Sequence, residues 1–205
     1  MLSEELLFKF SNVTRNFYYR NPENFNKIIN GGNEIRDSKK KGNYKIISFA
    51  DKHLRRMINM FFFRKKVKKY KIIDSVEIYN LSNIDNNFIN KHQNLFLDKV
   101  IFPWIAKAYL VNKVLEESNY GDTILWVDSD IKEIKEDGIN NLYNLCNNSE
   151  EGLVGFHSDH KLERSFTKAD LFNYLNLDNK NFFDTTQIYA DIFLFRKNDF
   201  TINFF

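Results

Sequence analysis

"GDTILWVDSDIKEI", residues 121–134, decides how this chain is read. It is apolar from Ile124 to Val127 and turns abruptly polar at Asp128, Ser129 and Asp130. A short apolar run bounded by turn residues predicts a buried strand. In extended backbone, residues two apart share a side, so the strand delivers both carboxylates to one side of its exit. Two readings fit. Asp and Ser are common turn and cap residues, because their side chains bond nearby backbone amides. Alternatively, a cation separates the two like charges, since Mg²⁺ and Mn²⁺ use one or two carboxylates completed by substrate phosphates. The pair alone does not choose between them.

Working outward, "YKIISFA" (44–50) reads as a buried first strand, followed by a basic helical stretch from Asp51 to Lys71. "SVEIYNL" (75–81) is a second strand with Val76, Ile78 and Asn80 on one face. "NNFINKHQNLFLDKV" and "FPWIAKAYLVNKVLEES" carry helical periodicity. In the second, Ile105, Ala108, Tyr109, Val111 and Leu115 are expected to be buried, with Pro103 in the first turn. After the opening strand come a helix around "GINNLYNLC", a strand "GLVGF", and a helix in "FTKADLFNYL" capped by Thr167 with Asp170 as partner. "QIYADIFLFRK" is the last strand. Strands alternating with helices predict an α/β domain, a mostly parallel sheet flanked by helices. Ligands gather at the carboxyl ends of such strands. That rim would carry Ser48 to Lys52, Asp128 to Asp130 and His157 to His160.

At 205 residues the chain is expected to form one domain over residues 44–205, with residues 1–43 as a helical and polar extension. Seven Gly and two Pro disfavour a sandwich or barrel built on tight turns. A net charge of +3 gives no reason to expect nucleic acid. The lone Cys146 excludes an intrachain disulfide framework. No apolar run reaches the roughly 18–20 residues of a membrane helix, and "MLSEELLFKF" is unlike a signal peptide. A cytoplasmic location is therefore expected, with membrane contact at most peripheral. Arg55 to Lys71 reads as an amphipathic helix with a solvated basic face. His157 and His160 lack the partners of a zinc set.

The motifs around the opening strand together resemble a family of GT-A-fold glycosyltransferases found in surface and capsular polysaccharide loci. Members show a Trp-x-x-Lys-Pro-Tyr helix, a Gly-Asp turn into a strand ending in Asp, a Thr-Lys-x-Asp helix start and an Asp-x-x-Gln strand reaching Ala-Gly. The corresponding residues are Trp104, Lys107 and Tyr109, then Gly121, Asp122, Asp128 and Asp130, then Thr167, Lys168 and Asp170, then Asp184, Gln187 and Ala190. "KIISFADKHL" is similar to the family's first strand and turn. The resemblance spans about residues 44–200. Ala108 replaces the usual Pro and Asp191 the usual Gly. The chain ends at "TINFF", short of a usual GT-A domain, as a fragment or a domain of a longer protein would.

The resemblance implies a metal-dependent transferase (Mn²⁺ or Mg²⁺) moving a sugar from a UDP- or GDP-sugar to a glycan or lipid-linked glycan. Base and ribose would lie near Ser48, Phe49 and Ala50, with Asp128 near the ribose or the metal, Ser129 against the nucleotide-sugar, and Lys107 or Lys52 adding positive charge at the diphosphate. The metal would rest on Asp128 and Asp130, with Asp130 the stronger ligand. Trp104 is read as core. Gln187 and Asp191 would border the donor sugar, with Asp184 and Glu163 weaker candidates for the same place. Asp191 would serve either as general base or as a partner for a sugar hydroxyl or a cation. Two rivals remain: a catalytically silent GT-A-like binding domain, and a haloacid-dehalogenase-type phosphatase with Asp128 as nucleophile and Asp130 as acid.

Overall fold

The computed structural model describes residues 42–51, 53–98, 101–167, 169–174 and 183–205, the side chains of 158–160, 166, 170, 171 and 173 excepted. Residues 1–41, Lys52, Lys168 and the side chains of His160 and Asp170 lie outside that set, and the expectations placed on them with it.

Among the described residues, five strands form one sheet in the order β2-β1-β3-β5-β4: β1 (Tyr44–Phe49), β2 (Ser75–Tyr79), β3 (Thr123–Val127), β4 (Leu153–Leu162) and β5 (Thr186–Arg196). β1 pairs in parallel with β2 and β3, whereas β5 runs antiparallel to both β3 and β4. The sheet is therefore mixed, which corrects the mostly parallel expectation. The reason is that β5 inserts between β3 and β4 in the opposite direction. Beyond the end of β3, β4 and β5 continue as a two-stranded ribbon pairing Phe156 with Tyr189 and Leu162 with Thr186.

β3 is central, and all five of its residues are buried. Leu125 and Val127 face one layer with Ile46, packed under helix α1 (Leu54–Val67) and helix α5 (Glu136–Asn148). Ile124 and Trp126 face the other with Ile47 and Phe49. That layer is covered by α2 (Asn86–Lys91), α3 (Gln93–Leu97), α4 (Phe102–Glu117) and the C-terminal α6 (Asp199–Phe204). Pro103 lies in the first turn of α4 as expected. The buried stripe of α4 is Ala106, Leu110, Val111, Val114 and Leu115, while Ala108 is exposed and Ile105 and Tyr109 are half-buried. A helix apolar on most sides gives periodicity little to discriminate with.

The entry to β3 is fixed by polar chemistry. Gly121 has φ 89°, in the left-handed region that a side chain disfavours. A Cβ on Gly42 would lie 2.5 Å from the Asp122 nitrogen, so β1 and β3 start in close backbone contact. The buried Asp122 carboxylate accepts from the N–H groups of Asn43 (2.8 Å) and Asn119 (3.1 Å) and pairs with Lys45 at 2.8 Å. Burial alone would raise its pKa. Lys45 and the two N–H groups outweigh that and hold it below the usual carboxylate range.

Candidate functional site

At the carboxyl end of β3, Asp128 follows Trp126 on the α4 side of the sheet. The indole Nε1–H of Trp126 donates to Asp128 Oδ1 at 2.5 Å, and Lys107 Nζ stands 2.7 Å from the same oxygen. Lys107 Nζ also donates to the Ala190 carbonyl at 2.7 Å, tying α4 to β5. The ammonium lies 5.0 Å from the ring centroid of Trp104 and 5.2 Å from that of Trp126. Lys107 is only 12% exposed in its side chain, a cation held between indoles rather than a surface lysine.

The loop beyond Asp128 is held from the other layer. Asn59 on α1 donates to the carbonyls of Ser129 (2.6 Å) and Ile131 (3.0 Å). Asp130 is exposed, and among the described residues nothing pairs with its carboxylate. Asp128, Ser129 and Asp130 line a cleft of about 280 Å³ together with Phe49, Arg56, Pro103, Trp104, Lys107 and Trp126. Trp104 is 56% exposed there, which corrects its assignment to the core.

Asp191 continues the β3–β5 ladder opposite Asp128, whose N–H donates to the Asp191 carbonyl at 2.8 Å. Its pKa is raised, first by partial desolvation of the carboxyl and then by the charges of Asp128 and Asp130, with Lys107 and Lys161 opposing.

No protein-family model, curated protein or solved structure matches the chain.

The structure thus brings together Phe49, Lys107, Asp128, Ser129, Asp130 and Asp191. It does not bring Ser48 or Ala50 to the cleft. Alternation along β1 sends Phe49 to the α4 side and turns Ser48 and Ala50 under α1 and α5. Ser48 is fully buried, its hydroxyl without a partner among the described residues, and Ala50 packs in the core. Gln187 lies four residues before Asp191 on β5, roughly 13 Å along the strand. Its amide donates to Glu163 (3.4 Å) and Thr167 (3.3 Å). Asp184 is exposed and pairs with Arg164 at 2.9 Å. These residues form a separate polar group beside the β4–β5 ribbon. There the Thr167 hydroxyl donates to Glu163, and His157 Nδ1 sits 3.0 Å from the Thr186 hydroxyl. Sequence reasoning did not single out Arg56, Asn59 or the Trp126 indole. Only Trp126 left a signal, two residues before Asp128 and hence on its side.

Among the described residues, no three His, Cys, Asp or Glu side chains converge as a ready-made metal cage. The Asp130 carboxylate and the second oxygen of Asp128 are nonetheless hard oxygen donors opening into the cleft. Such a partial set fits Mg²⁺ or Mn²⁺, which leave positions to water and substrate phosphates, and does not fit zinc.

Proposed function

We propose that the chain is a glycosyltransferase that takes a sugar from a nucleoside-diphosphate sugar and passes it to a hydroxyl acceptor, on a GT-A-type α/β domain. The observation that supports this best is the unequal Asp128/Asp130 pair at the end of the central strand. Asp128 is pinned by Trp126 and Lys107, while Asp130 has no partner among the described residues, and both face a cleft with aromatic and cationic walls. The order of motifs along the chain agrees with it.

In this reading Phe49 and Trp104 offer flat apolar surface to the base or the sugar, and Lys107 and Arg56 supply positive charge for the diphosphate. Asp130 and the free oxygen of Asp128 would hold the divalent cation. When bound, that cation offsets the charge that develops on the diphosphate leaving group. The acceptor oxygen bonds to the anomeric carbon as the bond from that carbon to the diphosphate breaks, and the electron pair leaves with the nucleoside diphosphate. Asp191, across the ladder from Asp128, would take the hydroxyl proton.

Thermal unfolding with UDP- and GDP-sugars, with and without Mn²⁺, tests the reading. One donor should raise Tm by roughly 5–10 °C at a hundredfold excess over Kd, only with metal, and not in Asp130→Ala. Failure of every nucleotide to bind would leave a silent domain. Release of phosphate from a simple ester, abolished by Asp128→Asn, would make it a phosphatase.

A further inference from the structure

Helix α1 is apolar on two sides. Met60, Phe63 and Val67 pack into the core, as an amphipathic helix requires. On the opposite side Leu54, Ile58, Phe61 and Phe62 follow i, i+4, i+7, i+8 spacing and are 71%, 48%, 63% and 62% exposed. Met57 extends this face at 50% exposure. The sequence had suggested a solvated basic face; the structure shows that the outward surface is aromatic and aliphatic at its centre.

Its border is cationic. Arg55, Arg64, Lys65, Lys68, Lys69 and Lys71 are exposed, and none has an ion-pair partner among the described residues. Lys66 and Arg56 are the paired ones, with Glu133 and Asp51. No acidic residue occurs between Leu54 and Lys71, although the whole chain carries only +3. An apolar protein partner would account for the phenylalanines but would leave this concentration of uncompensated charge unused. A surface that is apolar inside and anionic outside matches both.

We propose that the outward face of α1 docks on an anionic lipid bilayer, with Leu54, Ile58, Phe61 and Phe62 in the acyl boundary and the basic border on the headgroups. Among the described residues no helix is long and apolar enough to cross a membrane, so the contact is a surface one. Arg56, on the same helix, lines the cleft, so the bilayer would lie beside its mouth. The proposal does not depend on the transferase reading, and its test contains no nucleotide.

The full chain is floated with vesicles of phosphatidylcholine alone, or of phosphatidylcholine with about 30% phosphatidylglycerol. Binding is expected on the anionic vesicles and should weaken as salt rises. Phe61→Ser with Phe62→Ser should reduce partitioning about tenfold or more with Tm little changed, because both rings are exposed. Arg64→Glu with Lys65→Glu should remove the preference for anionic lipid. Ile202→Ser on α6, also exposed, should bind as the parent does. Absence of binding to anionic vesicles, or binding indifferent to loss of both phenylalanines, would overturn the proposal. So would self-association in solution abolished by the same double change, which would make a second copy the occupant of this face.

Discussion

The Asp128 N–H donates to the carbonyl oxygen of Asp191 at 2.8 Å, extending the β3–β5 ladder by one pair past its apolar end. Directly paired residues of an antiparallel ladder point to the same face, as the stacked Trp126 and Phe193 two pairs below do. The Asp191 carboxylate thus lies near that of Asp128 and feels its charge, and Lys107, paired with Asp128, also donates to the Ala190 carbonyl on β5. A folded domain seldom sets like charges opposite each other without a use for them, because the arrangement costs stability.

That cost is measurable. The Asp191 pKa is raised in the folded state, so folding disfavours its ionised form. The penalty is absent at low pH, where the group is protonated folded and unfolded alike, and appears as pH rises through the carboxylate range. Asp191→Asn should therefore stabilise the metal-free protein at neutral pH by roughly 0.2–1 kcal/mol, with the gain disappearing in acid. Urea unfolding at several pH values checks the sign. A destabilised variant at pH 7 would mean that Asp191 makes a favourable contact instead.

Lys107 should matter more than any other side chain near Asp128. It is mostly buried, and it satisfies the Asp128 carboxylate and the Ala190 carbonyl together. Lys107→Met would strand a partly buried negative charge and should cost about 2 kcal/mol. Asp128→Asn alone should cost less, because the amide oxygen still accepts from the Trp126 indole. A double-mutant cycle over the two should give a coupling of about 1–2 kcal/mol. A coupling near zero would show that the pair is held only by its surroundings.

How much of this was legible in the sequence depended on which force set each feature. β3 was plain because five consecutive buried residues leave no other reading, and the helix from Phe102 was plain from its length and its proline. The direction of β5 was not, since its pairing is fixed by the insertion between β3 and β4 and leaves no mark in its own residues. The surroundings of Asp128 and Asp130 differ, and the cause lies in Trp126 and in Lys107, twenty-one residues upstream of Asp128. Ser48 failed as a ligand for a reason the sequence does contain. It is one residue out of phase with Phe49, and a one-residue step along a strand changes faces.

Asp122 should give the protein part of its acid sensitivity. Its folded pKa is held below the usual carboxylate range, so its contribution is complete above that range and is lost as pH falls through the folded value. Asp122→Asn keeps one acceptor oxygen, enough for the Asn43 N–H, but loses the oxygen that takes the Asn119 N–H and pairs with Lys45. It should cost about 1–2 kcal/mol at pH 7, and the difference from the parent should shrink below about pH 4. Chemical denaturation at pH 7 and pH 3 makes the comparison. A difference constant with pH would place the effect in packing and not in charge.

The buried Arg196 provides the severest test of how the far end of the sheet is held. Its guanidinium donates to the carbonyls of Cys146 (2.9 Å), Asn147 (3.1 Å), Ser149 (3.1 Å) and Glu150 (3.4 Å), closing the C-terminal end of α5. Terminal helix carbonyls have no partner within the helix, and a cation there also meets the negative end of the dipole. β5 thereby anchors α5 to the edge of the sheet, where a Cβ on Gly152 would lie 3.2 Å from the same guanidinium carbon. Arg196→Met preserves most of the volume but leaves several carbonyls unsatisfied, and should cost about 3 kcal/mol. Arg196→Lys should recover little, because a single ammonium cannot reproduce the planar fork across these carbonyls. Urea unfolding of the two variants decides it: a lysine variant as stable as the parent would mean that charge at the helix end, and not the fork, does the holding.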